Sequence, residues 1–477
     1  MELSHIAVFC AAAIPFAFLP PRARGWLIFI LSALAIYWLQ PTLDIRWLDY
    51  SLPTAALVVT VICWWITRIP AQEPKPRQDV IALIVLIGIA LVLTVPRYLD
   101  IPPEFEITSR PPPIEQVGIA LVIALIAGAG FGRLPRTLSI PFGLIGLVIA
   151  LVVLKTDVLA AGTAGLLRTG SGQDPALAKS LDLGWLGFSY VAFRLISTLR
   201  DRQSGILPAL TLREYVTYVI FFPAYTAGPI DRAEKFTPQY RAVETINPRD
   251  PQRIIVAVTR ILIGMIKKFA IADTLALISL NAVSVDQAGS SLALWGMLYA
   301  YAFRIFFDFS GYTDIAIGIG ILFGITLPEN FDRPYSKQTI AAFWQSWHAT
   351  LSTWARSYVY SPLSRRLISG KKLSNDATIL VCNLATMIVI GLWHGVTIPF
   401  FVWGVWHAIG LTGHKLWSDR TRTWYRTLQE KPERARLWKY AGILLTFHFV
   451  LIGWVWFALP TADMAARVMG RLVGIGW

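Results

Sequence analysis

Residues 377–395 read ATILVCNLATMIVIGLWHG, an apolar stretch without a single Asp, Glu, Lys or Arg that ends at His394 and Gly395. Its length matches the roughly 20 residues that an α-helix needs to cross the hydrocarbon core of a bilayer. We therefore predict a transmembrane helix here, since a helix satisfies its backbone hydrogen bonds internally. Similar apolar segments follow one another along the chain, at about 4–19, 26–40, 51–67, 80–95, 116–130, 140–154, 185–199, 212–227, 254–281, 291–325, 397–416 and 440–459.

The overall composition extends this prediction to the whole chain. Of the 477 residues, 55% are hydrophobic and only 15% are charged, whereas an ordinary soluble domain carries about a quarter charged residues. This composition excludes a soluble enzyme, a disordered protein and a fibrous one. We predict an all-α polytopic membrane protein, a single integral membrane domain, with about eleven transmembrane helices. Re-entrant or interfacial helices are expected where an apolar segment is too short to span.

The net charge of +14 comes from basic loops. Lys and Arg of membrane proteins collect in cytoplasmic loops, so we do not expect nucleic acid as a partner. The basic loops at 22–24 and 133–136 follow the first and fifth apolar segments. If these loops are cytoplasmic, the N-terminus is extracytoplasmic, and this is the orientation we predict. The basic stretches 200–213, 228–253 and 415–439 fit the same rule. Their alternative role is a docking surface for an anionic headgroup or an acidic carrier protein.

His394 is the foremost candidate for chemistry. It ends the apolar segment, and an ionisable side chain at membrane depth is costly enough to mark a functional site by default. Gly391 and Gly395 would let a ligand or a second helix come close to the backbone. A neutral imidazole is a competent general base. The alternative is a histidine that only forms hydrogen bonds between helices.

A second histidine lies in an aromatic stretch, residues 339–363. His348, Ser352 and Arg356 recur at four-residue spacing beside an apolar aromatic face. We predict one amphipathic or re-entrant helix whose polar stripe borders a wet cavity. The alternative is an interfacial helix whose histidine simply faces water.

From Arg304 to Asp314 the chain reads RIFFDFSGYTD within a long apolar run. Arg304 and Asp308 are four residues apart, so an ion pair within the helix is expected. Ser310, Tyr312 and Asp314 are candidates for hydrogen bonds across helices. A proton path is the less favoured alternative.

Metal chemistry and disulfide bonds are not predicted. Cys10, Cys63 and Cys382 lie far apart in apolar stretches and are expected to be packing residues. His407 and His414 are seven residues apart, but no cysteine or acidic residue joins them at ligand spacing.

Six motifs, in order, resemble those of the membrane-bound O-acyltransferases. They are FPAYTAGPIDR at 222–232, DFSGYTDIA at 308–316, LPENF at 327–331, RPY at 333–335, a Trp- and His-containing stretch from Phe343 to Leu363, and GLWHG at 391–395 with Trp403, Gly404 and His407. They extend over about residues 184–459 and are similar above all to bacterial alginate O-acetyltransferases and to the D-alanyl transfer proteins of teichoic acid modification. The chain departs from the family at Gln345-Ser346, where members often carry basic residues.

The resemblance implies a fold and roles for individual residues. Tilted helices would form a ring around a thinned central funnel, with His394 as the catalytic histidine and His348 as the second histidine. Further residues in matching motifs are expected to line or support the substrate channel: Trp393, Trp347, Ser352, Asp308, Ser310, Tyr312, Asp231 and Arg232. The chain would divide into N-terminal transmembrane helices (1–183), a catalytic core (184–459) and a C-terminal interfacial segment (460–477).

The resemblance also implies a reaction in the bacterial inner membrane. An acyl group, acetyl by preference, would pass from a thioester donor, acetyl-CoA or an acyl carrier, to a hydroxyl of an extracytoplasmic polysaccharide or glycolipid. We expect no tightly bound cofactor, and direct transfer, since no activated Ser or Cys nucleophile is evident. Expected partners are the lipid bilayer, the acceptor and an acyl-carrier protein or a periplasmic acyltransferase. D-alanyl transfer to teichoic acid is the alternative. A transporter or flippase is the alternative from another class, but transporters often show two related halves, which this sequence lacks.

Overall fold

The computed structural model describes residues 2–69, 76–99, 107–108, 111–371 and 373–476. Within these ranges the chain is helical and forms no β-strand, which confirms the all-α polytopic class. The charged loop residues at 70–75 and 100–106 lie outside the described ranges. The contacts divide into two compact units, residues 1–261 with 314–328, and residues 262–313 with 329–477. The motif-based boundaries at 183/184 and 459/460 stay predictions.

The described residues include seven helices that are long and apolar enough to cross a membrane. These candidate spans are Leu48–Thr67, Arg77–Tyr98, Ile114–Gly132, Arg136–Lys155, Ser291–Leu322, Asn375–His394 and Pro432–Ala458. The total of about eleven spans and the central funnel stay predictions.

The first unit contains the N-terminal helices. They are α1 (Leu3–Ala11), α2 (Ala13–Phe18), α3 (Pro21–Trp38), α4 (Leu48–Thr67), α5 (Pro76–Val92), α6 (Ile114–Gly132), α7 (Arg136–Lys155), α8 (Asp157–Gly170), α9 (Phe188–Gln203), α10 (Leu212–Ile220), α11 (Ala233–Ala242) and most of α12 (Pro251–Met265).

The second unit contains the C-terminal helices. They are α13 (Asp273–Ala276), α14 (Ser284–Gln287), α15 (Ser291–Leu322, up to Thr313), α16 (Ile340–Ser346), α17 (Ala349–Ala355), α18 (Ser361–Gly370), α19 (Asn375–His394), α20 (Ile398–Arg420), α21 (Arg422–Gln429), α22 (Pro432–Ala458) and α23 (Ala462–Leu472). Two π-helical turns, Ile266–Ala272 and Arg356–Tyr360, follow α12 and α17.

The apolar segment 212–227 forms a short helix followed by an irregular turn rather than one long helix. Thr211 and Glu214 cap the start of α10 reciprocally, an arrangement that satisfies two otherwise unpaired N–H groups. The helix ends at Ile220, three residues before Pro223, because a proline cannot supply the N–H that a helix interior needs.

Arg194 of α9 holds the turn that carries the 222–232 motif. Its guanidinium donates hydrogen bonds to the carbonyl oxygens of Val219, Ala224 and Pro229, at 2.9, 2.9 and 3.3 Å. The side chain is 1% exposed. A buried charge is tolerated only where it is well hydrogen-bonded, and here these bonds fix the irregular backbone of the turn.

Candidate active site

Trp393 joins the two histidines that the sequence singles out. Its ring lies against His394, with centroids 4.5 Å apart, and against His348, with centroids 6.3 Å apart. Both distances fall in the range of aromatic ring contacts. The structure therefore brings together three of the predicted site residues, all within the second unit.

His394 lies at the end of α19, inside a group of aromatic rings. Phe457 and Trp403 meet its imidazole edge to face, at centroid distances of 4.7 and 5.7 Å, and Phe400 stacks on it at 5.7 Å. The side chain remains partly exposed. Such apolar walls limit the access of water while one side of the imidazole stays reachable.

Two glycines bring the backbones of α19 and α20 close together beside His394. A methyl group added at Gly391 would come within 2.3 Å of the Phe400 carbonyl oxygen, and one at Gly404 within 2.6 Å of the Met387 carbonyl oxygen. No real Cβ makes such contacts, so only glycine permits this approach. The expectation that a second helix comes close at Gly391 is confirmed.

The prediction of a single amphipathic helix over 339–363 is wrong. Helix α16 ends at Ser346, and His348 takes the left-handed conformation, with φ of 42°, before α17 begins at Ala349. Such a φ is uncommon for a residue other than glycine and is tolerated only where the surroundings enforce it. The predicted polar stripe therefore does not run along one helix.

The loop 330–332 provides the hydrogen bonds that this break would otherwise lose. The Asp332 N–H donates to the Ser346 carbonyl at 3.1 Å, and the Asn330 carbonyl accepts the Ala349 N–H at 3.0 Å. The Asn330 side chain, fully buried, accepts from both the N–H and the hydroxyl of Thr350. A helix start leaves its first N–H groups unpaired, and Asn330 takes two of them. Sequence reasoning placed Asn330 in a motif but did not identify it as a site residue.

His348 is 3% exposed and lies outside the candidate spans. Phe309 of α15 meets its ring edge to face at 4.7 Å. Its Nε2 has no hydrogen-bond partner among the residues that the structure describes. Burial lowers the pKa of His348 to about 3, because the charged form would lose its hydration. The ring is therefore neutral at physiological pH.

Trp347 and Ser352 support the break around His348. The Trp347 ring stacks on Phe343 at 5.7 Å and contacts Phe331 at 5.2 Å, and its backbone forms an isolated β-bridge with Phe331. Ser352 donates to the Trp347 carbonyl at 3.4 Å. Both residues therefore have a structural role. Their role in a substrate channel stays a prediction.

The prediction of an ion pair between Arg304 and Asp308 is wrong. Asp308 pairs with Lys268 at 2.5 Å, and Arg304 donates to the Ser279 hydroxyl at 3.1 Å. The close approach of the backbones at Gly311 and Lys268 explains this, because a Cβ on Gly311 would lie 2.9 Å from the Lys268 backbone nitrogen. A lysine in the apolar run 254–281 was the signal that sequence reasoning missed.

The neighbouring polar residues of α15 differ in their surroundings. Asp314 pairs with Arg260 of α12 at 2.7 Å, which confirms the expected contact across helices. Ser310 and Tyr312 are buried, and the Ser310 hydroxyl has no hydrogen-bond partner within the described part of the chain.

Asp231 and Arg232 belong to the first unit. The Arg232 N–H donates to Asp231 Oδ1 at 2.8 Å, and the Arg232 guanidinium pairs with Asp201 at 3.2 Å. Asp231 is 5% exposed, and burial raises its pKa to about 6. Their role in a channel stays a prediction.

His407, on α20, is fully buried, like His348 and unlike the partly exposed His394. Its Nδ1 accepts the indole N–H of Trp344 at 3.3 Å, and its ring packs on Trp403 at 4.8 Å. An Nδ1 that accepts assigns the proton to Nε2. These contacts describe a histidine that holds α16 against α20.

Comparisons with known proteins identify the family of the chain. The profile described as "MBOAT, membrane-bound O-acyltransferase family" matches residues 145–455. A "Teichoic acid D-alanyltransferase" of Streptococcus thermophilus is 31% identical over 65% of this chain and 73% of its own length. A "Probable alginate O-acetylase AlgI" of Pseudomonas syringae is 32% identical over 70% of this chain and 60% of its own length.

A third relative, a "Peptidoglycan O-acetyltransferase" of Helicobacter pylori, is 34% identical over 55% of this chain and 47% of its own length. The chain thus spans about three quarters of one of these relatives, three fifths of the second and half of the third. The family profile covers more than half of the chain and includes both candidate histidines. The chain therefore belongs to the membrane-bound O-acyltransferase family, which confirms the family and the enzyme class that the sequence predicts.

Proposed function

We propose that this protein transfers an acyl group, acetyl by preference, from a thioester donor to a hydroxyl of an extracytoplasmic polysaccharide, with His394 as the general base. The observation that carries the proposal is the contact of Trp393 with both His394 and His348. One imidazole is partly exposed and the other is buried and neutral. Two equivalent groups held in different environments suit two different tasks.

His394 would take the proton of the acceptor hydroxyl as its oxygen attacks the thioester carbonyl. The carbon–oxygen bond forms, the carbon–sulfur bond breaks, and the proton passes to the departing thiolate. No redox partner is needed. His348 would orient the acceptor or donate an N–H hydrogen bond to the developing oxyanion. The aromatic rings around His394 support this by limiting water, which would otherwise hydrolyse the donor.

The names of the relatives support an extracytoplasmic polymer as the acceptor. Two of the three are named for O-acetylation, of alginate or of peptidoglycan, which favours acetyl transfer. The Streptococcus relative, of which the chain covers the greatest share among the three, is named for D-alanyl transfer to teichoic acid, and this is the second candidate function. The donor would be acetyl-CoA in the first case and a carrier protein in the second. We place the protein in the bacterial inner membrane with its N-terminus outside.

The test is the acetyl content of the surface polymer in cells that carry the wild type, His394→Ala or His348→Ala, together with the amount of each protein in membranes. We expect His394→Ala to abolish acetylation at normal abundance, and His348→Ala to reduce it strongly. Unchanged acetylation in every strain, including a deletion, would overturn the acetyl assignment. The D-alanyl ester content of the same strains then tests the second function, and uptake assays test a transporter.

A further inference from the structure

Residues 415–440 comprise the end of α20, all of α21 and the first turns of α22. We call this segment the basic tip. It contains eight Lys and Arg against three Asp and Glu. Two of its cations are paired, Lys415 with Asp419 at 2.5 Å and Arg420 with Asp376 at 3.8 Å. Six further basic side chains are exposed and form no ion pair with any described residue: Arg422, Arg426, Lys431, Arg434, Arg436 and Lys439.

Exposed aromatic rings lie among these charges. The Trp424 ring meets Trp417 of α20 at 6.2 Å and Trp438 of α22 at 5.1 Å, so three tryptophans join the three helices. They nevertheless remain 45%, 50% and 38% exposed. Amphipathic rings of this kind are favoured at the boundary between acyl chains and headgroups. A surface that faced only water would gain nothing from exposing them.

The length of α22 places the basic tip at the level of the headgroups. The helix has 27 residues, or about 40 Å at 1.5 Å per residue, whereas the hydrocarbon core is about 30 Å thick. Residues 441–458 contain no charged side chain and supply most of the required span. The charged first turns of α22, and with them α21, therefore extend beyond the core.

Helix α21 has two different faces. Arg422 and Arg426 are four residues apart and lie on one face, whereas Trp424 and Leu428 lie on roughly the opposite face. A helix of this type lies in the interface, with its apolar side towards the acyl chains. Its arginines then reach phosphate oxygens, which guanidinium groups bind in bidentate fashion.

We propose that the basic tip binds the headgroups of anionic phospholipids through Arg422, Arg426 and the neighbouring cations, with its tryptophans at the boundary of the acyl chains. The unpaired cations supply the charge complementarity, and the length of α22 supplies the depth. An acidic carrier protein would also complement the charge, but it would leave the exposed rings unexplained. The proposal is independent of the proposed acyl transfer.

The test uses the full-length protein in detergent and native mass spectrometry of its complexes with phosphatidylglycerol or phosphatidylcholine. The double variant Arg422→Gln and Arg426→Gln is compared with Arg22→Gln and Arg133→Gln, which removes two exposed arginines elsewhere. One arginine near an anionic surface contributes roughly fivefold to binding. We expect the first double variant to bind phosphatidylglycerol about twentyfold more weakly, and the second to bind like the wild type. Arg422→Lys with Arg426→Lys should retain most of the binding.

Three results would overturn the proposal. Equal losses in the two Gln double variants would mean that binding follows total charge, and equal affinity for the two lipids would mean that charge has no part in it. If phosphatidylglycerol binding is unchanged but an acidic acyl-carrier protein no longer binds the first double variant, the basic tip is a protein-docking surface. Thermal unfolding of each variant in detergent verifies that the Gln substitutions leave the fold intact.

Discussion

Asn330 accepts two hydrogen bonds from Thr350 at one atom, its Oδ1. The Thr350 N–H lies 3.2 Å away and the Thr350 hydroxyl oxygen 2.6 Å away. Both residues are buried, so the side chain of a distant loop residue caps the helix that begins directly after His348. The position of one candidate catalytic histidine therefore depends on an asparagine that has no part in the proposed proton transfer.

We expect Asn330→Ala to lower the kcat of acyl transfer by about tenfold or more and to change KM much less. It removes the oxygen that accepts from the Thr350 N–H and hydroxyl, at a cost of about 1–3 kcal/mol, and it releases the turn that orients His348. Steady-state kinetics of the purified protein measure the effect. Asn330→Asp keeps the acceptor oxygen but introduces an acid at a fully buried position, so it should restore only part of the rate. Thr350→Val keeps the N–H that Asn330 caps and should lower kcat less than Asn330→Ala does. Wild-type kcat in Asn330→Ala would show that Asn330 does not position His348.

The close contact of α19 with α20 predicts that an added methyl group destabilises the protein. Gly391→Ala and Gly404→Ala would each force a Cβ against a carbonyl oxygen, and such overpacking costs about 1–3 kcal/mol. Gly413, on the same helix as Gly404, has no heavy atom within 4 Å of an added Cβ. Gly413→Ala should therefore be neutral or stabilise by up to about 1 kcal/mol, the difference in helix propensity. Thermal unfolding in detergent compares the three variants, and equal melting temperatures would contradict the packing argument.

His407 and His394 should respond to truncation in opposite ways. His407→Ala leaves a cavity in a fully buried site and removes the acceptor of the Trp344 N–H, so we expect a loss of about 2–5 kcal/mol in stability and a lower abundance in membranes. The His407→Ala protein that does fold should keep substantial activity per molecule. His394→Ala should melt near the wild type and lose activity about 100-fold or more. Both quantities can be measured on the same preparations, and a stable but inactive His407→Ala would place His407 in the chemistry instead.

The spans could be predicted because they depend on local composition. Helix α19 covers Asn375–His394 where the sequence predicts 377–395, and α15 covers Ser291–Leu322 where it predicts 291–325. His394 could likewise be identified from its place at the end of an apolar run.

The break at His348 could not be predicted, because the aromatic spacing continues across it. Phe343 and Trp347 still stack although the helix ends between Ser346 and His348. What ends it is the set of hydrogen bonds from the loop 330–332, which no local pattern reveals. The same holds for Asp308, whose partner Lys268 lies on another segment of the chain. The nearest opposite charge in sequence, Arg304, was therefore a poor guide.

We expect the free energy of unfolding of the first unit to depend on pH because of Asp231. Its carboxyl group ionises near 3.8 in the unfolded chain, but burial raises the pKa of Asp231 to about 6 in the folded protein. Between these values the folded state binds more protons than the unfolded state, so the free energy of unfolding falls as the pH rises from 3.8 to 6 and then stays level. A shift of about two units corresponds to about 3 kcal/mol.

Asp231→Asn stays neutral at every pH and can still accept the Arg232 N–H. Its stability should match the wild type at pH 4 and exceed it at pH 7, because the variant no longer buries a charge. Asp332 provides the control, since it is exposed and the hydrogen bond from Lys337 lowers its pKa, so Asp332→Asn should keep the wild-type slope between pH 4 and 6. Melting temperatures in detergent from pH 4 to 7 measure all three proteins. The wild-type slope in Asp231→Asn would mean that another group titrates there, because an amide has no proton to lose.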